Sequence, residues 1–111
     1  MRLGNLQLDH PLFLAPMSGI TDYPFRQLAR EMGCGLVFTE MVSAEGLIRK
    51  GEAFLKIKKD EHPVSVQLFG SNPEVIAEAA QMAEAMGADA IDINMGCPAK
   101  QLVEAGAGVD L

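Results

Sequence analysis

At 111 residues the chain is one domain or part of one, and with 49% hydrophobic and 22% charged residues it has the composition of a folded core, not of a disordered segment. A net charge of −6 argues against general affinity for nucleic acid, and no apolar run approaches the ~18 residues of a membrane span. Cys34 and Cys97 make no disulfide framework, His10 and His62 have no second ligand at metal spacing, and the first residues lack a signal-peptide core, so a cytoplasmic protein without a metal site is expected.

Residues 1–9 read as a small hairpin, with Leu3, Leu6 and Leu8 as its apolar contacts and Gly4-Asn5 as its turn. His10-Pro11 breaks the chain. Residues 12–15 are expected to form a short buried strand, ended by Pro16 and followed by a loop over 17–20. Thr21 or Asp22 can cap a helix whose first turn accommodates Pro24. Phe25, Leu28, Ala29 and Met32 recur at three- and four-residue steps, which gives that helix one apolar face, and Gly33 ends it. A second strand over 36–39 closes in Glu40-Met41. A short helix over 43–50 stops at Gly51, and a further turn covers 52–57. Arg49, Lys50, Lys56, Lys58 and Lys59 cluster here among Glu52, Asp60 and Glu61, as a solvated surface or as a contact for a polyanion.

Val64–Phe69 reads as the third strand. Ser71-Asn72-Pro73-Glu74 then opens a helix with Val75, Ile76, Ala79, Met82, Ala83 and Met86 on its apolar side. The fourth strand, 90–94, runs straight into Met95-Gly96-Cys97-Pro98, a turn that sets the Asn94 amide near the Cys97 thiol. Lys100–Glu104 can begin a helix, which Gly106 and Gly108 interrupt.

Strand and helix alternate four times, which implies parallel strands joined by helical crossovers. Period-two alternation puts Val64, Val66, Leu68, Ile91 and Ile93 on the helix side. Gln67, Asp92 and Asn94 fall on the other side, near the carboxyl ends of their strands. A flat doubly wound sheet gives such polar residues little reason to be there, whereas a closed barrel with a site at its carboxyl end does. The alternative is a satisfied internal hydrogen-bond network, in which Asp92 needs a donor not evident in this chain. The fold class expected is α/β: the N-terminal half of a TIM (β/α)8 barrel, about four βα units plus a short N-terminal hairpin. Its two cut sheet edges favour self-association or marginal stability of the isolated chain.

Taken alone, a Cys-Pro after a strand says little, and an inert buried cysteine is the commoner case. A cysteine hydrolase would want a placed His base, and a zinc deaminase would want HxE and PCxxC motifs that are missing. The combination says more. LAPMSGITDYPFR at 14–26, TEM at 39–41, VQLFG at 66–70 and DINMGCP at 92–98, with Lys100 after it, closely resemble the tRNA-dihydrouridine synthases. The resemblance covers essentially the whole chain in order and spacing, and looks most like the bacterial B-type branch.

The resemblance implies that residues 1–111 are a single partial domain of a flavin-binding barrel, with the helical tRNA-binding domain outside them. It implies an FMN-dependent oxidoreductase that reduces the C5–C6 double bond of a uridine in tRNA, with NADPH as reductant. Cys97 matches the family's proton donor, a reasonable role for a thiol that keeps its proton at neutral pH. Pro16, Met17 and Ser18 match the first flavin-contacting loop, where Ser18 stands for a frequent Ala and leaves a backbone contact intact. Gln67 matches the amide on the flavin's polar edge. Asn94 matches a residue near both flavin and uracil, where an amide can donate and accept. The whole protein is then expected to act on tRNA, while the 111-residue piece alone is expected to show no turnover and at best weak FMN binding, because the family binds the flavin phosphate from the second half of the barrel. Competing expectations are another FMN barrel, dihydroorotate dehydrogenase-like or old-yellow-enzyme-like, and an inactive half-barrel. Which uridine is modified is not legible.

Overall fold

A computed structural model of the chain describes residues 1–111. The hairpin forms as β1 (Arg2–Leu3) and β2 (Leu6–Gln7), antiparallel, with the turn glycine Gly4 at φ 60°. Helix α1 (Tyr23–Glu31) starts where expected: the Asp22 carboxylate accepts from Phe25 N at 3.0 Å, and Pro24 sits in the first turn. Strands β3 (Val37–Phe38) and β4 (Val42–Ser43) follow, then α2 (Ala44–Lys50), capped by Ser43. Strand β5 (Val64–Phe69), helix α3 (Pro73–Ala85), strand β6 (Ala90–Ile93) and helix α4 (Lys100–Glu104) complete the order.

All pairings outside the hairpin are parallel. One edge of β5 carries β6, with Gln67 opposite Asp92 and Leu68 opposite Ile93. The other edge carries β3 at its start and β4 at its end. Phe13 bridges Leu36 beyond that. Spatial order therefore follows chain order, as right-handed crossovers between neighbouring parallel strands require. Between Phe38↔Ser65 and Val42↔Leu68, residues 39–41 face only 66–67, so β3 and β4 are one strand interrupted by a bulge.

Val66 and Leu68 pack with Val42, Ala44, Leu47, Leu55, Ala79 and Ala83 into the main core, between the sheet and helices α2 and α3. Ile91 and Ile93 border it. The alternation expected along β5 and β6 is what the structure has: branched side chains toward the helices, with Ser65, Gln67 and Asp92 on the opposite face.

Two expectations need correction. Residues 12–15 make a single bridge instead of a buried strand, and Leu12 is 60% exposed, because only the edge facing Leu36 has a neighbour. The stripe of α1 that periodicity selected also lies outward, with Met32 78% exposed, while Arg26 is only 7% exposed. The reason is Glu61, fully buried, which draws Arg26 inward: its Nε donates to Glu61 Oε1 at 2.9 Å and its Nη1 to Thr21 O at 2.7 Å. A buried carboxylate needs a paired cation, and that requirement turns the Arg26 side of α1 inward. Arg30 reinforces the docking through the carbonyls of Glu61 and Pro63, at 2.7 and 2.6 Å. Outside this buried pair, the Tyr23 hydroxyl donates to Asp60 at 2.6 Å, which holds the phenol pKa above its usual value. The Lys58 ammonium lies 3.8 Å from the Tyr23 ring centroid.

Candidate functional site

The carboxyl ends of β5 and β6 carry a continuous chain of polar bonds. Gln67 Nε2 donates to Asp92 Oδ2 at 2.6 Å, and Asn94 Nδ2 donates to Gln67 Oε1 at 3.3 Å. The Asn94 peptide N–H prolongs the ladder to Leu68 O at 2.9 Å, which directs its side chain over the turn that follows. Asn94 Oδ1 accepts from Cys97 N at 3.0 Å and from Gly96 N at 3.3 Å. This Asx-type turn lifts Cys97 off the end of the strand. Asp92 thus has its donor within the chain, in Gln67, the partner that the sequence left open.

Asn94 is more restricted than its type suggests. Two peptide N–H groups occupy its carbonyl, so toward a ligand it offers only its second N–H. Gln67, 8% exposed, keeps one N–H and one lone pair beyond its two bonds. An adjacent donor and acceptor of this kind suit a planar ring edge with neighbouring carbonyl and N–H groups.

Cys97 is fixed from its other side as well. Its carbonyl accepts from Val109 N at 3.0 Å, and Gly108 lies against it at φ 62°. A Cβ on Gly108 would stand 2.3 Å from Cys97 O. Sequence reasoning treated Gly108 as a helix interruption; its positive φ and close approach carry no local signal beyond the glycine itself. Gly108→Ala in the whole protein is expected to cost about 1–3 kcal/mol and to speed alkylation of Cys97 by iodoacetamide. An unchanged unfolding midpoint with an unchanged alkylation rate would refute this clamp.

The loop of Pro16, Met17 and Ser18 is built separately. The buried Thr21 hydroxyl accepts from Met17 N at 3.1 Å and donates to Met17 O at 3.2 Å. The Glu40 carboxylate accepts from Gly19 N. Glu40 points there because of the bulge at 39–41, which also lets the Thr39 hydroxyl accept from Gln67 N at 3.2 Å. The Ser18 N–H, between these two anchors, has no bond within the chain. Gln67, Asn94 and Cys97 therefore form one bonded group; the loop reaches it only through Thr39 and Glu40. Neither of those two was singled out as a site residue from sequence, since a bulge depends on register with a distant strand.

The carboxyl ends of β5 and β6 thus gather two side-chain amides, a carboxylate and a cysteine at one end of a parallel sheet. The chain belongs to the dihydrouridine synthase family, whose model matches residues 13–111. It is 47% identical over 107 residues to a probable tRNA-dihydrouridine synthase of Rickettsia conorii, covering 93% of this chain and 32% of the relative. It is 46% identical over 111 residues to tRNA-dihydrouridine synthase B of Pseudomonas aeruginosa, covering 97% and 33%, and 43% identical to the B synthase of Pasteurella multocida, covering 97% and 33%. The chain spans about a third of the length of these curated relatives. No helix is long and apolar enough to cross a membrane.

Proposed function

We propose that the whole protein is a tRNA-dihydrouridine synthase acting in the cytoplasm, and that this chain supplies about the first four βα units of its (β/α)8 barrel. The observation that supports it most is the Gln67–Asn94–Cys97 group, which presents ring-edge donors and an acceptor beside a thiol at the carboxyl ends of parallel strands. Those groups fit FMN: the spare N–H and lone pair of Gln67 match the carbonyl and N–H of the flavin's polar edge, and the Ser18 N–H is free to meet the ring. When bound and reduced by NADPH, FMN would supply hydride for C6 of the uridine.

The chain's own residues do the rest. Pro16, Met17 and Ser18 form the backbone shelf on one side, held by Thr21 and Glu40. Gln67 orients the ring, and Asn94 offers its N–H to a carbonyl oxygen of flavin or uracil. Cys97 Sγ delivers a proton to C5 as general acid. The test uses the purified whole protein with FMN, NADPH and unmodified tRNA transcript, read by mass spectrometry of nucleoside digests. Dihydrouridine formation dependent on both cofactors is the expected result; uridine left intact under conditions where FMN is bound would rule the function out.

A further inference from the structure

The bonds from Asp92 to Cys97 run in one direction. An ionised carboxylate only accepts hydrogen bonds, and a peptide N–H only donates them. Asp92 stands at one end of the chain of bonds, and the N–H groups of Gly96 and Cys97 stand at the other. Between these ends, Gln67 and Asn94 each have a single orientation that satisfies both neighbours. A side-chain amide elsewhere can rotate end for end at little cost, because its oxygen and nitrogen are nearly the same size. Here rotation of Gln67 would set its oxygen against the Asp92 carboxylate and its NH2 group against that of Asn94.

We infer that Asp92 is a positioning residue: it fixes which end of the Gln67 amide donates and which accepts, and so fixes the polarity of the edge offered to the ring. It acts on the ligand only through Gln67, and it does not touch the reacting atoms. The ligand named in this inference rests on the flavin reading, whereas the direction of the bonds rests on the donor and acceptor chemistry of the two ends.

Exchanging the two ends of the relay tests it. In Asn94→Asp the new carboxylate can still accept from Gly96 and Cys97, but it faces Gln67 Oε1. If Gln67 rotates to meet it, the Gln67 oxygen then faces Asp92. Neither orientation is satisfied, so the unfolding midpoint of the whole protein should fall and FMN should dissociate about 10-fold more readily or worse. Adding Asp92→Asn supplies a donor to the rotated Gln67 and rebuilds the relay in reverse. The double variant should recover most of the lost midpoint. Its FMN affinity should stay low, because the ring-facing N–H and lone pair of Gln67 have changed places.

In a Gln67→Met background the rescue should shrink to what relief of charge repulsion between these two nearby positions provides. This separates the relay from direct charge repulsion between residues 92 and 94. Additive effects on the midpoint, or a rescue undiminished by Gln67→Met, would overturn the relay. Recovery of FMN affinity together with the midpoint would overturn the role in ring recognition. If the unsubstituted protein binds no FMN, the flavin reading fails while the midpoints still decide the direction of the bonds.

Discussion

Cys97→Ala in the whole protein is expected to lower uridine reduction by about 10²–10⁴-fold, the range for loss of a general acid, with flavin still bound. The reason for such a clean separation lies in how Cys97 is held. Its bonds to the rest of the protein are made by its peptide groups: the N–H to Asn94 and the carbonyl to Val109. Alanine keeps both. The thiol makes no hydrogen bond within the chain, so its removal leaves no unsatisfied partner and little change in stability. Cys97→Ser should also be impaired, because a hydroxyl is a far weaker acid than a thiol, although it preserves shape and a proton. The measurement is dihydrouridine formed per unit time at saturating tRNA, alongside the flavin absorbance of the purified variants. Full activity in Cys97→Ala would remove the thiol from the chemistry. Loss of flavin would instead mean that Cys97 supports the ring.

Elements governed by local chemistry were legible in the sequence. Asp22 and Asn72 cap their helices as side-chain type and position require, and β5 and β6 alternate as their residues do. The polar trio of Gln67, Asp92 and Asn94 was legible as a group because alternation alone turns it away from the helices. What escaped depends on distant partners. Arg26 lies inward because Glu61, thirty-five residues later in the chain, is buried. No periodicity within α1 records this, and the apolar stripe pointed the other way. The reach of Glu40 to Gly19 depends on a bulge visible only once β3 and β4 are aligned on β5. The restriction of Asn94 to donation follows from the path of the next three residues. Gly108 matters for Cys97 through tertiary approach, not through the helix it follows. The family motifs include Arg26, Glu40 and Asn94 without giving their physical reasons, and they do not contain Glu61 or Gly108.

Glu61→Gln is expected to destabilise the whole protein by about 3–5 kcal/mol, the cost of leaving one member of a buried ion pair without its partner. The glutamine has one acceptor oxygen where Glu61 has two: turned to Lys58 N, which donates to Glu61 Oε2 at 2.7 Å, it sets its NH2 group against the donors of Arg26. It cannot neutralise the Arg26 guanidinium, whose side chain is 9% exposed. The penalty is therefore one of charge and of a donor set against a donor, and not of shape. It should also reach the site: Arg26 donates to Thr21 O, and the Thr21 hydroxyl holds Met17 at both its N–H and its carbonyl. Loosening Arg26 releases the foot of the loop that carries Ser18, so flavin affinity should fall with stability while the Cys97 turn stays intact. Arg26→Met alone should be comparably costly, because it leaves Glu61 buried and unpaired. Together with Glu61→Gln it should cost less than the sum of the two, since no unpaired charge remains. Denaturant unfolding of the four proteins measures this coupling. Strict additivity would mean that Arg26 and Glu61 are held by their other bonds and not by each other.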